Sequence, residues 1–126
     1  MKSLKDKNGD IWFGVREPGL YRFDGTHFTY YSKKEGLPDI RVSCIYQDKK
    51  GGLWVGSDIR FGTQKGGLFR YNGKSFTLFP QIYDLGMFSV WTAIEDKAGN
   101  SWFGGRNGKL CCYDGKRLLD FSDKLK

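Results

Sequence analysis

Histidine is nearly missing from this sequence: His27 is the single copy among 126 residues. It stands beside Phe28 in an expected hairpin and reads as a turn or strand residue, not as a general base. Cysteine is almost as sparse. Cys111 and Cys112 are adjacent on an expected strand, where neighbouring side chains point to opposite faces and cannot readily pair, and Cys44 lies in another repeat. Neither a CxxC nor a Cys/His spacing occurs. No metal and no cofactor are therefore expected, and the three cysteines read as small core or strand residues. A GxSxG elbow and an HExxH motif are also lacking, which removes the usual signatures of serine and zinc hydrolases.

Long apolar runs are missing too. None approaches the roughly 18 residues that a membrane span needs, and the opening MKSLKDKNGD has no apolar signal-peptide core. No membrane insertion is expected, and the chain reads as cytoplasmic if Met1 is its native start, or otherwise as a piece of something exported. Acidic residues are in short supply, 14 against 21 Lys and Arg, for a net charge of +7. The lysines are scattered through turns (Lys5, Lys7, Lys49, Lys50, Lys97, Lys116), so they read as a solvated surface and no nucleic-acid partner is expected.

Aromatic residues, by contrast, are plentiful at 17%, within an apolar share of 39%. That is enough to build a core despite a mean hydropathy of -0.55. The length fits one ordinary domain.

One phrase occurs three times: DKNGDIWFG from Asp6, DKKGGLWVG from Asp48 and DKAGNSWFG from Asp96. Trp12 and Trp54 are 42 residues apart, Trp54 and Trp102 are 48 apart, and Leu68 and Leu110 are again 42 apart. A unit of 42 residues, with six extra in the second copy inside SDIRFGTQKG, reconciles these spacings. Each unit reads as four short strands. The first is VSCIYQD or VWTAIED, with MKSLKD in its place in the first copy; the second is IWFGV, LWVGS or SWFGG; the third is GLYRFD, GLFRYN or KLCCYD; the fourth is HFTYYS, SFTLFP or RLLDFS. No long helix is expected.

The repeated phrase has a physical reading. Asp6, Asp48 and Asp96 can accept backbone hydrogen bonds in the turn that follows, and the Gly three residues on suits a left-handed turn position. Trp12, Trp54 and Trp102 then have the area to wedge between neighbouring sheets. A second corner in each unit is Asp24-Gly25, Asn72-Gly73 or Asp114-Gly115. Four antiparallel strands at a period near 40 describe the blade of a β-propeller. The expected boundaries are residues 1–40, 41–87 and 88–126.

Val42, Ile45, Asp48, Gly51, Leu53, Trp54, Gly56, Gly67, Leu68, Tyr71 and Phe76 resemble the two-component regulator propeller repeat, VxxIxxDxxGxLWxG followed by GGLxxY and an aromatic strand. All three copies follow it, with departures at Met1, at Ala93 and at Asn107-Gly108-Lys109. The resemblance implies the sensing region of a hybrid two-component sensor, placed outside the cytoplasmic membrane, in the periplasm for instance, and responsive in many members to polysaccharide fragments.

Three blades cannot surround a channel, since propellers close with about four to eight. The end faces should therefore seek partners, and a homodimer closing six blades is the favoured homo-oligomer, with excision from a longer propeller as the alternative. The hairpin face is shared among the copies; the opposite face varies, with Glu17, Asp39, Asp58, Tyr83, Asp84, Met87, Phe88 and Asn107 among its residues. From that face Arg16, Arg41, Arg60, Phe61, Trp91 and Arg106 form the candidate ligand set, because arginine forks grip carboxylates and aromatic rings stack on ring-shaped ligands. The expected function is non-catalytic binding of a carbohydrate fragment or small anionic ligand. A structural or protein-interaction module is the alternative, and a propeller lyase or glycosidase is less favoured.

Overall fold

Short aromatic and β-branched runs become strands because a ladder pairs every backbone group while one side of the run is buried. A computed structural model of the protein describes residues 1–15, 19–38, 40–58, 67–84 and 89–125. Its architecture is all-β, in three four-stranded antiparallel sheets of strictly sequential order. The first sheet holds β1 (Lys2–Lys5), β2 (Ile11–Gly14), β3 (Leu20–Phe23) and β4 (Phe28–Tyr31). The second holds β5 (Arg41–Gln47), β6 (Leu53–Asp58), β7 (Leu68–Tyr71) and β8 (Phe76–Leu78). The third holds β9 (Val90–Glu95), β10 (Ser101–Gly105), β11 (Leu110–Tyr113) and β12 (Leu118–Asp120). A single-turn helix α1 (Gln81–Asp84) precedes the third sheet.

The registers superpose. Leu4, Trp12 and Arg22 lie side by side across the first sheet, Tyr46, Trp54 and Arg70 across the second, and Ile94, Trp102 and Cys112 across the third. In every copy Asp stabilises its turn: Asp6, Asp48 and Asp96 accept the backbone N–H four residues on at 2.8 to 3.0 Å. Gly9, Gly51 and Gly99 follow with φ of 88°, 93° and 88°, a region that a side chain would strain.

Tryptophan does act as the wedge, at the first two positions. Trp12 stacks on Tyr31 at 5.1 Å and meets Tyr71 of the second sheet at 5.7 Å. Trp54 meets Phe103 and Tyr113 of the third sheet at 4.8 and 5.4 Å. Trp102 departs from this pattern. It is only half-buried and meets Phe121, just past the last strand of its own sheet, at 5.1 Å. Both buried tryptophans also carry a guanidinium lid, Arg22 over Trp12 and Arg70 over Trp54, at 5.1 and 5.7 Å.

The glycine of the WxG triplet has a spatial role. A Cβ on Gly14 would lie 2.3 Å from Val42 Cγ1, and one on Gly56 would lie 2.8 Å from the Val90 carbonyl oxygen. These two glycines let the inner strand of the next sheet approach. Backbone-to-side-chain clamps recur at equivalent repeat positions: Lys7 N–H donates to Gln47 Oε1 at 2.8 Å, and Lys49 N–H donates to Glu95 Oε1 at 3.1 Å.

Candidate functional site

Strand order determines which residues meet at the end opposite the repeated turns. Arg41 opens β5 and Asp58 closes β6, so antiparallel pairing sets them directly across from each other. Arg41 Nε lies 4.0 Å from Asp58 Oδ2, longer than a hydrogen bond, so the guanidinium is attracted without being locked. The next sheet brings Trp91, second residue of β9, against the same carboxylate. Its indole N–H donates to Asp58 Oδ1 at 2.8 Å. Arg106, from the tight turn after β10, covers the Trp91 ring at 5.1 Å from its centroid.

Arg41, Asp58 and Trp91 border a cleft of about 600 Å³, lined also by Lys2, Gly14, Val42 and Ser43, and Arg106 reaches it only through the Trp91 ring. The Ser43 hydroxyl donates to the Val90 carbonyl and ties the second and third sheets together beneath it. Trp91 remains 42% exposed, a large aromatic surface on offer at the rim. Around it stand two guanidiniums and the Lys2 ammonium against one carboxylate. Such a site attracts anions through the field of its cations and offers an indole for stacking or for contact with the apolar face of a ring.

Of the residues expected from sequence, Arg41, Trp91 and Arg106 are thus brought together. Arg16, Arg60 and Phe61 lie outside the described residues, as do Glu17, Asp39, Met87 and Phe88. Sequence reasoning set Asp58 on the variable face but outside the ligand set, although it holds the cluster together, and it passed over Lys2 and Ser43. Position alone was the available signal: each lies at the loop end of an inner or second strand.

Asp6, Asp48 and Asp96 do not converge on a substrate. Each gives its second oxygen to the indole N–H of its own tryptophan, at 2.8, 2.9 and 2.7 Å. Burial pushes the Asp48 carboxyl upward, but hydrogen bonds from Trp54, Arg70 and Gly52 outweigh it and hold its pKa below the ordinary value. Among the described residues, no three His, Cys, Asp or Glu side chains gather as a metal ion would need, and no helix is long and apolar enough to cross a membrane.

Residues 36–58, from the end of the first connector through β6, match the family model described as two component regulator propeller. No curated protein matches the chain.

Proposed function

Because residues 36–58, which include the first two strands of the second repeat, match the family model described as two component regulator propeller, we propose that the chain is a non-catalytic β-propeller module that binds a carbohydrate fragment or small anionic ligand during sensing. The observation that carries this reading is the Arg41, Asp58, Trp91 and Arg106 cluster. Asp58 orients the indole and draws Arg41 toward it, while Arg106 covers one side of the ring. An acidic sugar would place its carboxylate against the guanidiniums and its ring against the indole.

Assembly belongs to the same proposal. Val55 and Tyr71 of the second sheet are buried in the core that receives Trp12, and Phe103 and Tyr113 of the third receive Trp54. The corresponding residues of the first sheet are Phe13 and Phe23, both half-buried, with Phe28 stacked on Phe23 at 4.6 Å and 66% exposed. A second copy would seat its Trp102 there, and two copies would complete six blades. One contact would differ. Lys5 stands where Gln47 and Glu95 supply an acceptor, so the N–H of Lys97 would need another partner.

Titration of the protein with oligogalacturonate, followed by Trp fluorescence and thermal shift, tests the ligand reading. Binding is expected to weaken with salt and to fall about tenfold or more in Trp91→Ala and Arg41→Ala. The absence of any response, in protein whose mass by light scattering shows it assembled, would count against the reading.

A further inference from the structure

The two internal interfaces are built from the same template but are not packed alike. At the first, Leu53 is buried at 2% exposure and shares a cluster with Trp12, Tyr31, Tyr71 and Phe76. At the second, the equivalent of Leu53 is Ser101, and the equivalent of Phe76 is Leu118. Both changes remove apolar volume at the hairpin end. Phe103 restores volume where the second sheet has Val55, but it does so deeper in the interface, against Trp54.

The consequence is a cavity of about 320 Å³ between the second and third sheets, near the repeated turns and at the far end of β5 and β6 from the Arg41 cleft. Its apolar wall is Phe79 and Tyr113, whose rings lie 5.1 Å apart edge to face. Tyr113 is half-buried here, whereas its equivalent Tyr71 is buried at 8% exposure under Leu53 and Phe76.

The polar lining is mixed. Ser101, Asn72 and Thr77 contribute neutral donors and acceptors. Arg70 lines the cavity while paired with Asp48 at 3.0 Å, so that pair adds no net charge. Glu95 accepts from Tyr46 and Lys49 through Oε1, and Asp114 accepts from Lys116 and Arg117 through Oδ1. Each of these carboxylates has a second oxygen to receive a donor. Lys50 stands at the rim.

From this geometry we infer a second binding site, distinct from the cationic cleft, for a neutral polyhydroxylated ring of about one sugar unit. Hydroxyl groups alone suit both kinds of partner at once: they donate to Glu95 and Asp114 and accept from Asn72 and Arg70. The C–H face of such a ring packs on Phe79 and Tyr113. The volume lies at the small end of the range for ligand sites, about 300–1,000 Å³. An anion would be repelled by Glu95 and Asp114; an amine would pair with those carboxylates but could accept nothing from Asn72 or Arg70.

The test is an NMR titration of the intact protein with methyl β-glucoside and methyl α-mannoside, with propylammonium as the charged comparison. Saturable shifts at the Asn72, Ser101 and Tyr113 amides are expected from at least one glycoside, and unchanged in Arg41→Ala, which separates this site from the cleft. Ser101→Leu, the residue that the second repeat carries, should fill the cavity, keep the fold and weaken binding about tenfold or more. Thr77→Val, at an exposed position, should weaken it while leaving thermal unfolding as it was. No saturable shift from either glycoside, shifts that survive Ser101→Leu, or a response to the amine alone would overturn the inference.

Discussion

The indole N–H of Trp54 donates to Asp48 Oδ2 at 2.9 Å, deep in the second sheet, where Trp54 is 1% and Asp48 5% exposed. The same carboxylate oxygen also accepts from Arg70 Nε and Nη2, at 3.1 and 3.0 Å. One oxygen thus binds the wedge and its guanidinium lid, while the other holds the turn through Gly52. In the first sheet Arg22 turns instead to Asp10, at 2.6 Å. Gly52 is the reason for the difference: a Cβ there would meet Arg70 Nη2 at 2.0 Å, so only glycine leaves the path to Asp48 open.

Asp48→Asn should therefore be costly. The amide keeps one acceptor but loses the charge that four N–H donors from three residues share, and charge-assisted hydrogen bonds contribute about 1.5–3 kcal/mol each. A loss of about 2 kcal/mol or more in urea unfolding is expected, with a smaller loss for Asp96→Asn, whose site is only half-buried. Equal losses in the two variants would contradict the role assigned to burial.

Acid should act through the same group. Burial raises the Asp48 pKa, yet the hydrogen bonds from Trp54, Arg70 and Gly52 bring it below the ordinary value. A carboxyl depressed in the folded state contributes stability that is complete above its unfolded pKa of about 3.9 and is lost as pH falls through the lower folded value. Stability measured by denaturant titration should be level in this contribution above about pH 5 and decline below about pH 4. In Asp48→Asn the decline should be shallower.

Glycine replacement separates internal contacts from end contacts. Gly56→Ala must displace Cys44 Sγ at 2.5 Å and the Val90 carbonyl at 2.8 Å, and Gly14→Ala must displace Val42. Overpacking of this kind costs about 1–3 kcal/mol. Gly104 is their equivalent in the third sheet and meets only Thr92 Oγ1, at 3.1 Å. Gly104→Ala should barely change the melting temperature of a single copy but weaken self-association in light scattering if another sheet packs there.

The cysteines should be inert. Burial pushes the Cys44 thiol up to about 11 and the Cys111 thiol to about 12, and Cys112 is raised for the same reason. Thiolate is the reactive form, so alkylation near pH 8 should be slow in the folded protein and rapid after unfolding. Prompt labelling of the native protein at Cys44 would show that the second and third sheets separate readily.

Much of the fold was legible because its signals are local. The turn Asp and Gly lie within a few residues of the groups they serve, and strand runs such as LWVGS and GLFRYN alternate between turn signals. The candidate cleft was legible only in part. Arg41, Trp91 and Arg106 were visible as unlike residues on the variable face, but the bond from Trp91 to Asp58 spans 33 positions, and nothing local predicts it. The Asp–Trp hydrogen bond, six residues apart in each copy, was hidden differently. The turn accounts for the Asp and the wedge for the Trp, so nothing local asks for a bond between them.

By itself the sequence determined the template: four short strands per repeat, the positions of the turns and the side of each strand that is apolar, all of which follow from chain geometry within a few residues. The tertiary structure decided how copies of that template meet. Whether a tryptophan is buried like Trp54 or half-open like Trp102, and whether an interface is filled by Leu53 or hollowed at Ser101, depends on the neighbouring sheet. Packing is a property of two surfaces at once, and no single repeat carries the shape of the surface that it will face.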